Sequence, residues 1–528
     1  MKDDERSLPA HISLLLQPDS YAHTVDNIQL IETHISWVVL TGNFAYKIKK
    51  PVNLGFLDFS TLAKRRFYCK EELRLNTRLA PTLYLDVLPI SCLDNYVSFS
   101  PSSEIIDYAI KMVQFPQEMQ LDRVLLAGRL QNEHIDALAT LLAKFHQKTD
   151  VANKNDHFGE PEQIYTPLTE NFILLHQLLS DNKTIRLLAP IESWSKSTFN
   201  LIESTLTQRK QAGFIRECHG DLHLRNLVLI NEHPVAFDCI EFNPELRWID
   251  TINDVAFLMM DLQDRQHYDF AQRFINAYFE KTGDYAAISL LRFYLVYRAM
   301  VRAKVDAIRA SQMVIKSQQQ KDANRACYGY LKLAYSYLQS SKPLLIITCG
   351  MSASGKSTLT QPLVEKLVAI RLRSDVERKR QFNITTQTSQ SAVPNAGIYT
   401  PDATQHTYQY LAETAKLVLH ANYPVIIDAA CLKFEQRELL RQVATDNEVP
   451  FLIIHFTARD DTLRQRIKCR GKTVSDADLS ILEYQLAHWQ SLHQDELSNV
   501  ITIDTESSND LASLINKIKM YFKANRSP

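Results

Sequence analysis

Along residues 35–50, ISWVVLTGNFAYKIKK, two short apolar-rich runs flank the polar turn Thr41-Gly42-Asn43, a pattern that predicts a β-hairpin. A charged helical stretch follows, STLAKRRFYCKEELRLNTRL, and then the strand-like runs LYLDVLPI and DYAIKMVQF. Pro116 breaks this pattern. From there to about residue 340 apolar residues recur at helical spacing, as in IDALATLLAKFHQ and SLLRFYLVYRAMVRAKVDAI. The exception is an island holding HGDLHLRNLVL and PVAFDCI. The reading is a small β-rich lobe over about 1–115, a hinge, and a larger helical lobe over about 117–340. KSQQQKDANR, at 316–325, reads equally as a loop or a solvated helix turn. Ser340-Ser341-Lys342-Pro343 is the linker candidate, because LLIIT, PVIIDA, FLIIHF and NVITID then alternate with helical stretches. That alternation predicts an α/β domain over 342–528 with a parallel sheet and crossover helices.

Composition adds boundaries to this picture. A chain of 528 residues exceeds one hydrophobic core, so roughly two to four domains are expected. A formal net charge of -1 argues against a dedicated nucleic-acid binder, although a local basic groove stays open. The eight cysteines stand singly with no C-x-x-C pair, which predicts reduced thiols in a cytoplasmic protein and no zinc or disulfide framework. The start, MKDDERSLPA, has no signal-peptide character, and no apolar run reaches membrane-spanning length. Glycine is scarce, only 12 in the chain, yet Gly220, Gly350 and Gly355 fall in two polar stretches.

The later stretch, Gly350-Met-Ser-Ala-Ser-Gly355-Lys356-Ser357, satisfies G-x-x-x-x-G-K-[ST] between an apolar strand and a helix. Backbone N–H groups of Gly350, Ser352, Ala353, Ser354 and Gly355, with the helix start at Ser357 and Thr358, would form an anion nest for ATP. Lys356 would hold the β- and γ-phosphates and Ser357 would ligate Mg²⁺. Asp428, at the carboxyl end of PVIIDA, stands where a ligand of the Mg²⁺ shell belongs. Asp375 and Arg378 follow the next strand, and Arg466 and Arg470 stand four apart on one helix face. This stretch resembles the small P-loop kinases that include bacteriophage polynucleotide 5′-kinase, zeta toxins and gluconate-type kinases. The resemblance implies that Asp375 takes the acceptor proton, that Arg378 contacts an acceptor phosphate, and that Arg470, with Arg466, serves the transferring phosphate. A helix N-cap for Asp375 and a solvated face for the two arginines remain open.

The earlier stretch places His219-x-Asp221-x-x-x-x-Asn226 before Asp238, twelve residues on, which is the spacing of a eukaryotic-type kinase site. There one aspartate accepts the hydroxyl proton, while an asparagine and a second aspartate hold Mg²⁺ between the phosphates. H-G-D-L-H without D-F-G resembles aminoglycoside phosphotransferases and choline-kinase-like enzymes, which implies a protein-kinase-like two-lobed α+β fold for 1–340. By position, Lys47 matches the phosphate-binding lysine, with Lys49 as rival on the same strand face. Glu72 matches its helix partner, with Glu71 as rival; MVQFPQE at 112–118 falls where the hinge to adenine would be, and Asp254 matches a supporting aspartate of the large lobe. Leu224-Arg225 and the nearby Glu241 depart from that family and look like bacterial fusions of such a domain with a P-loop domain.

Arg292, Arg298, Arg302, Lys304 and Arg309 argue mildly against a cationic drug as substrate and toward an anionic acceptor or a contact with the second domain; a solvated helix face explains the same residues without function and is the favoured reading. The expectation is a bifunctional ATP- and Mg²⁺-dependent kinase. Its first domain would act on a small-molecule hydroxyl, and its second on a small molecule, a nucleotide or a nucleic-acid 5′ end, with no membrane partner. One domain regulating the other is the alternative.

Overall fold

A computed structural model describes all residues except 1–7, 26, 56, 94–95, 102–103, 315–316, 340–342, 385–396, 470–477, 508–510 and 525–528. The linker candidate at 340–343 therefore lies almost wholly outside the described residues. The chain forms two compact units, Met1–Pro167 with Glu203–Asp261, and Leu168–Ile202 with Leu262–Pro528.

In the first unit the predicted hairpin is present. Strands β1 (Gln29–Glu32), β2 (Ser36–Leu40), β3 (Phe44–Lys49), β4 (Tyr84–Leu93), β5 (Tyr96–Ser98) and β6 (Ile105–Val113) form an antiparallel sheet in the order β1-β2-β3-β6-β4-β5. Period-2 alternation decides its faces. Trp37, Val39, Tyr46, Ile48, Ile90 and Ala109 share one core, whereas Ile110, Leu83 and Tyr84 join Cys69 of the helix Leu62–Asn76 in another. Thr61 starts that helix by accepting the Lys64 amide proton on its side chain. Two short ladders then frame the polar island: β7 (Ile215–Glu217) pairs with β10 (Trp248–Asp250), and β8 (Leu227–Ile230) with β9 (His233–Ala236).

In the second unit β11 (Leu345–Cys349), β12 (Ile370–Arg373), β13 (Val425–Asp428), β14 (Phe451–Thr457) and β15 (Val500–Asp504) form the predicted parallel sheet, in the order β12-β13-β11-β14-β15. β11 and β13 are buried throughout, as strands covered on both faces must be. The order changes direction beside β11, and there a crevice opens at the carboxyl ends of the strands. The loop after β11 and Asp428 at the end of β13 therefore meet. The segment 316–325, open between loop and helix on sequence, enters the helix Gln318–Tyr337, which Ser317 caps. Among the described residues no helix is long and apolar enough to cross a membrane.

Candidate active sites

In the first unit the two lysine candidates of β3 do different things. Lys47 Nζ lies 2.7 Å from Glu72 Oε1 and 2.5 Å from Asp238 Oδ1. Lys49 Nζ lies 2.6 Å from the other Glu72 oxygen and also pairs with Glu241, fully buried. Glu72 is thus the helix partner of both lysines, while Glu71 serves Arg74 and Arg247. Burial would lower the Lys47 ammonium, but Asp238 and Glu72 outweigh it and hold it well above the ordinary lysine range. Burial likewise opposes ionisation of Glu72, and the two lysines overcome it and hold its carboxyl low. Two ammonium groups here face three carboxylates, an excess of negative charge that a divalent cation would offset.

The island between β7 and β10 is a loop held from below. Asp254 accepts the backbone protons of His219 at 3.1 Å and Gly220 at 2.9 Å, so its role is to shape the loop. Gly220 has φ +86°, and a Cβ there would stand 2.7 Å from the Leu246 carbonyl oxygen. Asn226 Nδ2 donates to the Asp221 carbonyl at 2.9 Å and to Asp221 Oδ2 at 3.0 Å. Asp238 follows β9 with φ +65°, a left-handed conformation that a non-glycine residue adopts at some cost, held by its N–H on the Tyr84 hydroxyl. A backbone bond from Phe237 to Asn226 keeps the two candidate metal ligands side by side. Lys47, Asp221, Asn226 and Asp238 are thereby gathered from separate stretches. The segment 112–118 is tied in as well, since Gln114 receives the Gly42 amide proton of the hairpin turn.

One neighbour escaped the sequence reading, and a second was named there only as a departure from the family pattern. His223 Nε2 sits 3.3 Å from Asp221 Oδ2, and its only cue was its place inside HGDLHLRN. Glu241 showed only as a second acid three residues past Asp238.

In the second unit Gly350, Ala353 and Gly355 all carry positive φ, which turns the loop's N–H groups inward before the helix Lys356–Leu367. Lys356 Nζ reaches back over this loop, donating to the carbonyls of Gly350 at 2.8 Å and Met351 at 2.7 Å. Burial lowers the Lys356 ammonium, and Asp428 and Asp375 oppose that. A Cβ at Gly350, where φ is +136°, would stand 2.3 Å from the Phe456 carbonyl oxygen. We expect Gly350→Ala to cost about 1–3 kcal/mol through strain alone; a thermal melt of the full chain checks this, and an unchanged melting temperature would contradict the geometry.

Ser352, Ala353, Gly355, Lys356, Ser357, Thr358, Asp375, Arg378, Asp428 and Arg466 all line one cavity of about 1030 Å³. Small-molecule pockets span about 300–1,000 Å³, so this one has room for a nucleotide and an acceptor. Ser354 is buried just behind it, its N–H bonded to the Met351 carbonyl. Asp375 lies in the first turn of the helix Ser374–Gln381, whose N-cap is Arg373, so Asp375 is not the cap. Arg378 is buried and donates to the Ile398 carbonyl at 2.8 Å and Thr404 Oγ1 at 3.0 Å, while its Nε has no hydrogen-bond partner among the described residues. Arg466 holds the Ala353 carbonyl at 3.3 Å and Thr505 Oγ1 at 2.8 Å, which puts it against the P-loop. Arg470 lies outside the described residues.

Residues 345–492, which begin at β11 and hold the P-loop, match the AAA domain family. The chain belongs to the same family as the uncharacterized proteins Rv2004c of Mycobacterium tuberculosis and Mb2027c of Mycobacterium bovis, each 31% identical over 479 residues, 90% of this chain and 93% of theirs. Among solved structures, a choline/ethanolamine kinase family protein from Mesorhizobium loti is similar at 11% identity and TM-score 0.38, covering 62% of this chain and 97% of its own. A gluconokinase from Sinorhizobium meliloti is similar at 18% identity and TM-score 0.26, covering 35% of this chain and 94% of its own.

Proposed function

We propose that the chain performs two ATP-dependent phosphoryl transfers, one in residues 1–340 and one in 342–528, each onto a hydroxyl-bearing acceptor. At the first site Lys47 takes the phosphates of Mg-ATP, Asn226 and Asp238 hold its metal, and Asp221 receives the acceptor's proton. The new P–O bond forms on the acceptor oxygen as the bond to the leaving β-phosphate oxygen breaks, and ADP departs. At the second, the loop from Gly350 to Thr358 and Lys356 hold the triphosphate, and Ser357 and Asp428 serve the metal. Asp375 takes the proton there, Arg378 meets an anionic part of the acceptor, and Arg470 serves the transferring phosphate. Arg466, bonded to the P-loop, suits the nucleotide end better than the acceptor end.

The observation that carries this reading is the chain of short contacts that brings Lys47, Asp221, Asn226 and Asp238 together. The near-neutral chain favours small molecules or nucleotides over a nucleic-acid 5′ end as acceptors. The cytoplasm supplies both ATP and reducing conditions for its cysteines.

The test is incubation of the full chain with γ-labelled ATP and a metabolite extract. Two labelled products are expected, one lost in Asp221→Asn and the other in Lys356→Ala. Release of labelled phosphate with no labelled product would replace this reading by a regulatory one.

A further inference from the structure

The P-loop sheet ends at β12, and its open edge is met within the same unit by the helix Tyr268–Thr282, which lies outside the matched P-loop domain. Asn276 acts as one rung of a missing strand: its oxygen accepts the Arg371 amide proton at 2.7 Å and its nitrogen donates to the Ala369 carbonyl at 3.0 Å. Gln272 donates to that carbonyl as well, at 2.6 Å. One turn beyond Asn276, Glu280 binds two arginines of the edge strand. One oxygen takes Arg371 at 2.8 Å and the other takes Arg373 at 3.4 Å.

Both arginines lead to the same atom. Arg373 Nε stands 3.8 Å from Asp428 Oδ2. Arg371 reaches Thr360 Oγ1 at 3.4 Å, and Thr360 Oγ1 lies 3.3 Å from that same Asp428 oxygen. Thr360 is fully buried, and Glu280 and Arg373 are each only about 15% exposed, so solvent does little to screen the fork. Glu280 shares the Arg373 charge with Asp428, and without it Asp428 is the other carboxylate Arg373 pairs with.

We propose that Glu280 is a positioning residue of the P-loop site: by holding Arg373 it keeps Asp428 available to the metal of Mg-ATP. This rests on the assignment of the P-loop as a nucleotide site. It makes a helix from before the linker part of that site's machinery.

The experiment measures mant-ADP binding to the full chain as Mg²⁺ is titrated, counting only the signal lost in Lys356→Ala. Glu280→Gln keeps size and removes charge. It should raise the Mg²⁺ midpoint by roughly 5-fold or more, the lower end of coupling between linked groups. Metal-free affinity should stay within about twofold, a split that a merely structural loss would not produce. Added to Arg373→Met, Glu280→Gln should no longer shift the midpoint. Equal weakening with and without Mg²⁺, or a full shift persisting beside Arg373→Met, overturns the proposal. Should the Glu280→Gln protein fail to fold, Arg373→Met alone must lower the midpoint, and an unchanged one overturns it. If Lys356→Ala loses no signal, the nucleotide assignment itself has failed; if it does and Glu280→Gln is silent, only the role of Glu280 has.

Discussion

Asp221→Asn is expected to cut transfer at the first site by about 10²–10⁴-fold, the usual worth of positioned acid–base catalysis. Asparagine keeps the shape of Asp221 and can still accept from Asn226 Nδ2, now at 3.0 Å, so the loop should hold. What disappears is the carboxylate proposed to take the proton. Phosphoryl transfer through a loose transition state asks little of a base, which favours the low end of that range. ATP affinity should barely move, because the pairs of Lys47 with Glu72 and Asp238 are untouched. The P-loop site has its own candidate base in Asp375 and should retain its activity. The measurement is kcat and KM for the labelled product of each site. Loss of both products would show that the sites are coupled and would retire the two-transfer reading.

Lys356→Ala should abolish useful Mg-ATP binding at the second site. Each charge-assisted hydrogen bond to a phosphate oxygen contributes about 1.5–3 kcal/mol, and loss of two corresponds to an affinity decrease on the order of 10²-fold or more. The fold should survive, since among the described residues the ammonium donates only to carbonyls and a hydroxyl of its own loop. Calorimetric titration of the full chain checks this. A second-site affinity within threefold of the unsubstituted protein would remove the P-loop from the nucleotide site.

The sequence disclosed most where chemistry is written in consecutive residues. The P-loop motif, the kinase-type loop and the strands of both regions were legible, because tight backbone turns and buried strands demand fixed residue types at fixed spacings. It disclosed less where two candidates share a face. Lys47 and Lys49 are two apart on β3 and point the same way, so periodicity had no means of choosing between them. The structure separates their surroundings: Glu241 closes over Lys49 from nearly two hundred residues away, and Lys47 meets Asp238. His223 was hidden for a different reason, since only the curl of the loop brings its ring to Asp221. The arginines of the helix Ile288–Gln312 were open between solvent, acceptor and second domain. Of these, Arg292 contacts the Asn422 carbonyl at 3.2 Å and the Tyr423 ring, which answers to the last reading. Nothing in the local pattern of YDFAQRFINAYFEKT announced that Asn276 and Glu280 would finish another sheet.

That finishing contact bears on how the protein can be cut. A bare strand edge is a row of unmet donors and acceptors, and soluble proteins guard such rows against pairing with another copy. Here the guard is a pair of side-chain amides lent by a helix far upstream in the chain. A fragment trimmed at the linker would keep every residue of the P-loop motif and lose the guard. It would present Ala369 and Arg371 to the nearest identical edge and strand two arginines without their carboxylate. Self-association of such a fragment would then speak to the severed edge, and a shorter boundary chosen from the motif alone would discard part of what keeps the sheet solitary.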